Sequence, residues 1–138
     1  MGTYNKNQPL IVDSFLFYNE IKMLLFRLEE LYDYVDYFVI VESEFTFVGD
    51  SKECYFEKNK HLFTKYLEKI VHVIHKCEPN NNPWVNEENQ RNFIKDAILT
   101  IKLKDTDIIL ISDVDEIPDV NTLNKLKISG VDDVLSFE

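Results

Sequence analysis

Two aspartates one residue apart, placed directly after an apolar run, are the strongest chemical signal in this chain. In ILISDVDEIP, residues 109–118, Asp113 and Asp115 follow a strand-like stretch, and Pro118 cannot continue a ladder. If the backbone stays extended, both carboxylates lie on one side. Two such carboxylates can hold Mg²⁺ or Mn²⁺ while leaving positions open for diphosphate oxygens and water. A cation there would offset charge on a departing nucleoside diphosphate. Acidic turns after buried strands are common, so the motif gains meaning only from the elements around it.

Those elements alternate between strand and helix signals. Strand patterns cover residues 10–17, 37–43, 70–75 and 107–112, with a further one at 133–137. Residues 37–43, YFVIVES, are nearly all apolar, as suits a strand buried on both faces. Helical spacing joins Ile21, Leu24, Leu25, Leu28 and Leu31, with Asn19 as the expected N-cap and Glu20 in the first turn. Residues 44–57 read as an extended loop around Gly49, and 59–67 as a short helix. Residues 77–84, CEPNNNPW, read as a loop, 86–103 as a long helix, and 120–126 as a short one. Repeated strand–helix–strand order predicts an α/β fold: a mostly parallel sheet with helices on both faces. No repeat or linker interrupts it, so residues 1–138 are expected to form a single domain. The closing VLSFE lacks a following element, which predicts a domain truncated at its C-terminus.

Ligands of open parallel sheets bind beyond the carboxyl ends of the strands. The residues there are Tyr18, Asn19 and Glu20, then Glu42 and Ser43, then Asp113, Asp115 and Glu116. This predicts acidic groups gathered on one edge, which a cation or donor groups must neutralise. Glu42 is placed to accept a hydrogen bond from a ribose or base, or from a neighbouring backbone N–H. Glu20 is placed for a ligand or simply for the positive end of a helix. Arg91 lies four residues after Glu87, so it can form an i,i+4 ion pair or reach a diphosphate. His72 and His75 share a strand three residues apart and must face opposite sides, which excludes joint chelation. Trp84 can pack on the core edge or offer an apolar platform to a sugar. Tyr32, Tyr34, Tyr37 and Phe38 read as helix-to-strand packing.

A formal net charge of −10 argues against nucleic-acid binding, because phosphate polymers are repelled. A single nucleotide bridged by a cation remains open to an acidic protein. No apolar run is long enough for a bilayer, and residues 1–8 lack a signal core, so the chain as given reads as cytoplasmic. Cys54 and Cys77 form no C-x-x-C pair and are expected to be reduced.

The blocks DSFLFYNEIKMLLFRLEELYDYVDYFVIVES, TFVGDSK, ENQRNFIKDAI and DIILISDVDEIP occur here in that order and at these separations. In them the chain resembles glycosyltransferase family 17, the family of β-1,4-mannosyl-glycoprotein β-1,4-N-acetylglucosaminyltransferase, across residues 12–118. The resemblance implies a GT-A-like, Rossmann-like fold, a UDP-sugar donor such as UDP-N-acetylglucosamine, a divalent metal and an inverting transfer to a glycan acceptor. By position it implies Asp115 as metal ligand, with Asp113 facing the ribose or sharing the metal. Glu20, Glu42 and Arg91 match recurring family positions around the nucleotide. It also implies a catalytic base beyond Glu138, and Golgi membrane anchoring for eukaryotic relatives. After TFVGDSK the family continues with Pro-Leu where this chain has Glu53 and Cys54. Two other classes remain. One is a non-catalytic nucleotide-binding fragment or interaction module, with self-association through an open sheet edge. The other is a D-x-D phosphatase, although its motif ordinarily ends the first strand and Glu116 replaces the usual Thr or Val.

Overall fold

The computed structural model describes residues 8–129. Within them, strands β1 (Ile11–Leu16), β2 (Tyr37–Ser43), β3 (Ile70–His75) and β4 (Ile108–Ile111) form a parallel sheet in the order β3-β2-β1-β4. The helices are α1 (Ile21–Leu31), α2 (Tyr55–Lys58), α3 (Pro83–Ile98) and α4 (Val120–Ser129). The strand expected at 133–137 lies outside the described residues.

Strand alternation sorts the apolar side chains onto two faces. Ile11 and Phe15 of β1, Phe38 and Ile40 of β2, and Ile108 and Leu110 of β4 meet Leu24, Leu28 and Leu31 of α1. Phe56, Phe63 and Leu123 complete that core. Val12, Val39 and Val41 point the other way, against Ile94, Ala97 and Ile98 of α3. Each fully buried Leu, Ile or Phe contributes about 1.5–3 kcal/mol of transfer free energy, so the two layers dominate stability. Double-sided burial explains why β2 reads as an uninterrupted apolar run. On β4, Ile109 and Ile111 face the α3 side but stay exposed.

The path of the chain creates the site. From β1 to β2 to β3 the sheet grows in one direction, with α1 and then α2 over the first face. The chain then returns through α3, on the second face, to lay β4 on the other side of β1. Parallel crossovers are right-handed, so reversing direction requires changing face. The reversal falls between β1 and β4, at whose carboxyl ends such sheets bind ligands.

Local chemistry moves several boundaries from their expected places. The first helix is capped at Glu20, not Asn19, and Glu20 makes no side-chain cap bond. The third helix begins at Pro83, because Asn82 Oδ1 accepts from Trp84 N at 3.0 Å and proline suits the first helical position. It ends at Ile98 rather than 103, where the Thr100 hydroxyl donates back to the Ala97 carbonyl. The expected helix at 59–67 is instead a 3₁₀ turn at Lys60–Phe63 with a second at Leu67–Lys69, while the α-helical turn, α2, falls earlier, at the end of the expected loop. Part of the loop at 44–57 folds into a tight reversal, with Phe45 bridged to Ser51. Gly49 turns it at φ 94°, a conformation that L side chains rarely adopt.

Candidate functional site

The Asp-x-Asp segment stands at the mouth between β1 and β4, but it does not stay extended. Ser112 N still donates to Ser14 O of β1, and then the chain folds into a turn. Glu116 N donates to Asp113 O at 3.0 Å, and Asp113 N donates to Glu116 Oε1 at 2.8 Å. Val114 points into the core, while Asp113 and Asp115 are exposed. The two carboxylates thus reach solvent together because the apolar residue between them is buried, not because of strand alternation.

Arg91 on α3 joins this turn. Its guanidinium lies 3.2 Å from Asp113 Oδ1 and 3.3 Å from Glu87 Oε1. The i,i+4 pair and the reach toward the mouth therefore both occur. Asp115 makes no hydrogen bond or ion pair among the described residues. Glu20, beyond β1 at the start of α1, carries a buried carboxylate oxygen, Oε2, with no hydrogen-bond partner among the described residues.

Glu42 stands near the carboxyl end of β2, as expected, but protein groups already hold its carboxylate. Its carboxylate is fully buried on the α1 face. It accepts from Phe56 N at 3.0 Å and Glu57 N at 3.1 Å, and meets His72 Nε2 at 2.8 Å. The α2 backbone and His72 occupy both of its oxygens, so the backbone alternative is the one observed. No acidic cluster of the expected size forms: among the described residues no three His, Cys, Asp or Glu side chains converge as a metal cage. Asp113 and Asp115 alone suit a cation that keeps water and takes its other ligands from phosphates, as Mg²⁺ and Mn²⁺ do.

His72 and His75 face opposite sides, as their spacing requires. His72 packs on Phe56, and His75 meets the edge of Phe93. His75 lines a small cleft with Ser43, Cys77, Asn86 and Gln90, and its Nδ1 has no hydrogen-bond partner among the described residues. Burial lowers its pKa. The neutral imidazole is therefore favoured by folding, and this stability is lost as pH falls below the ordinary histidine value of about 6.5. The expected result is a melting temperature that drops between pH 7 and 5.5, with a smaller drop in His75→Gln. Parallel pH profiles in thermal unfolding would contradict it.

Trp84 is 78% exposed, so packing on the core edge does not hold it. Tyr32, Tyr37 and Phe38 pack against the two cores, as expected for the aromatic series, and Tyr32 also meets Tyr66 in a tilted pair 5.6 Å between ring centroids, whereas Tyr34 is exposed. Cys54 and Cys77 are both free. Among the described residues no helix is long and apolar enough to cross a membrane.

Two residues escaped the sequence reading. Arg27 of α1 and Asp13 of β1 are both 0% exposed and form a bidentate pair at 2.8 and 2.6 Å. Arg27 also reaches the Asp-x-Asp turn. The signal was present: an arginine interrupts the apolar face of Leu24, Leu28 and Leu31, and an aspartate sits inside an apolar strand.

A parallel sheet with helices on both faces, reversing at β1 and carrying Asp-x-Asp beyond β4, makes this an α/β unit of the open, ligand-binding kind, consistent with a GT-A-like glycosyltransferase fragment. The sequence model for glycosyltransferase family 17 matches residues 2–138, and the chain belongs to that family. It is 30% identical over 107 residues to human β-1,4-mannosyl-glycoprotein 4-β-N-acetylglucosaminyltransferase, covering 72% of this chain and 20% of that protein. The rat enzyme of the same name is 28% identical over 115 residues, covering 78% and 21%. The chain thus spans about a fifth of the length of these curated relatives. No solved structure matches it.

Proposed function

We propose that this chain supplies the donor-binding part of a metal-dependent, inverting glycosyltransferase. Its donor is a UDP-sugar, and the transferred group is N-acetylglucosamine, passed to a glycan hydroxyl. The observation that carries this reading is the exposed Asp113–Asp115 turn at the sheet's reversal, with Arg91 beside it. The names of the relatives supply the sugar and the acceptor class.

Asp115 would hold Mn²⁺ or Mg²⁺, with Asp113 sharing it or facing the ribose. Bound there, the cation supplies charge neutralisation at the departing diphosphate. Arg91 donates to diphosphate oxygens, for which its planar fork is suited. Glu20 accepts from a nucleotide hydroxyl, and its unpartnered oxygen supports that role. Family membership leaves the phosphatase reading without support, and the motif follows β4 rather than the first strand.

Calorimetric titration with UDP and UDP-N-acetylglucosamine, with and without Mn²⁺, tests the proposal. Binding is expected with the metal and is expected to vanish with a chelator. Equal affinity without metal would remove the cation from the mechanism. No binding of either nucleotide would remove the donor assignment.

A further inference from the structure

A fully buried guanidinium is an uncommon way to hold a surface turn, and its bonding here is unusually complete. Arg27 Nε and Nη2 engage Asp13 at 2.8 and 2.6 Å. Nη2 also donates to Ser112 Oγ at 2.7 Å. Nη1 donates to three backbone carbonyls of the Asp-x-Asp turn: Asp113 at 2.9 Å, Val114 at 3.1 Å and Glu116 at 2.9 Å. The Phe15 ring lies 4.7 Å below the guanidinium carbon. The whole donor fork is engaged.

Stability alone does not call for this arrangement. A buried ion pair can often be replaced by apolar residues of similar volume without loss. What apolar side chains cannot do is gather three carbonyls of one short turn onto a single cation. Those carbonyls face inward, toward Arg27, while the Asp113 and Asp115 carboxylates stand on the exposed side. The orientation of the turn is therefore set from beneath, through α1 and the centre of β1.

We propose that Asp13 and Arg27 are positioning residues for the donor site, locking the Asp-x-Asp turn in the geometry that receives the cation and diphosphate. Asp13 holds the guanidinium in register with β1, and Arg27 transmits that register to the turn. A lysine cannot replace the fork, because one ammonium cannot span the carboxylate, the hydroxyl and three carbonyls together. The proposal rests on the donor-site reading above.

The test uses the full chain in three forms: wild type, Arg27→Lys, and the paired Asp13→Leu/Arg27→Met replacement. Mn²⁺-dependent UDP affinity is measured by calorimetry, and amide hydrogen exchange is followed at residues 113–116 and in β1 and β2. Both variants are expected to keep strand protection, to exchange at least tenfold faster in the turn, and to bind UDP at least tenfold more weakly. Rescue of affinity by Arg27→Lys would overturn the proposal, and so would unchanged affinity in any folded variant. If the paired variant does not fold, Arg27→Lys, which keeps the charge beside Asp13, decides alone. If wild type binds no UDP, the donor reading fails. The exchange comparison then still reports on the clamp, and unchanged turn protection in Arg27→Lys would refute it.

Discussion

Asp115→Ala is expected to weaken Mn²⁺-dependent UDP binding about 100-fold, a loss of about 2.8 kcal/mol at ~1.4 kcal/mol per factor of ten. The carboxylate is exposed and makes no hydrogen bond or ion pair among the described residues, so the fold does not depend on it. Surface substitutions of that kind stay within about 0.5 kcal/mol of native stability. Binding and stability are therefore expected to separate cleanly. Asp113→Ala should cost less, about tenfold, because two effects oppose each other. The cation loses a second oxygen, but Arg91 is released from its 3.2 Å contact and gains freedom to reach phosphate. Without Mn²⁺, wild type and Asp115→Ala should be indistinguishable. Equal Mn²⁺-dependent affinity in wild type and Asp115→Ala would show that the cation is held elsewhere.

Periodicity made the architecture legible because it reports burial directly. The paired apolar faces of β1 and β2, the stripe of α1 and the exit of β4 into Asp-x-Asp all follow from side-chain spacing. Less legible were features decided by one local bond. The start of α3 depended on Asn82 capping ahead of Pro83, in a segment whose composition reads as pure loop. The role of Glu42 could not be read from its place at a strand end. A buried carboxylate takes whichever donors are nearest, and here the α2 backbone arrives from fifteen residues downstream. The turn at Asp113 overrode extended geometry because Val114 gains more from the core than a continued strand would offer. Arg27 and Asp13 were hidden for a different reason. Each breaks a pattern on its own element, and only the fold shows that the two breaks meet.

That meeting gives the largest expected effect on stability. Arg27→Ala should destabilise the chain by about 3–5 kcal/mol, the range for breaking a buried pair from one side. Folded domains hold only about 5–15 kcal/mol in total, so the variant should be marginal. Asp13 is fully buried at the centre of β1, and among the described residues Arg27 is its side-chain partner. Asp13→Ala should cost less than Arg27→Ala, because the guanidinium retains Ser112 Oγ and three carbonyls, whereas the abandoned carboxylate retains no hydrogen-bond partner among the described residues. The pH dependence identifies the cause. Burial already raises the Asp13 pKa against the opposing pull of Arg27, and removing Arg27 removes that pull. A raised folded-state pKa favours the folded form when the group is protonated, and that contribution is lost as pH rises through it. The deficit of Arg27→Ala relative to wild type should therefore be greatest near neutral pH and shrink toward the ordinary carboxylate range. A deficit that stays constant across that range would assign the loss to missing packing on Phe15 rather than to an uncompensated charge. Chemical denaturation of the three proteins at several pH values separates the two accounts.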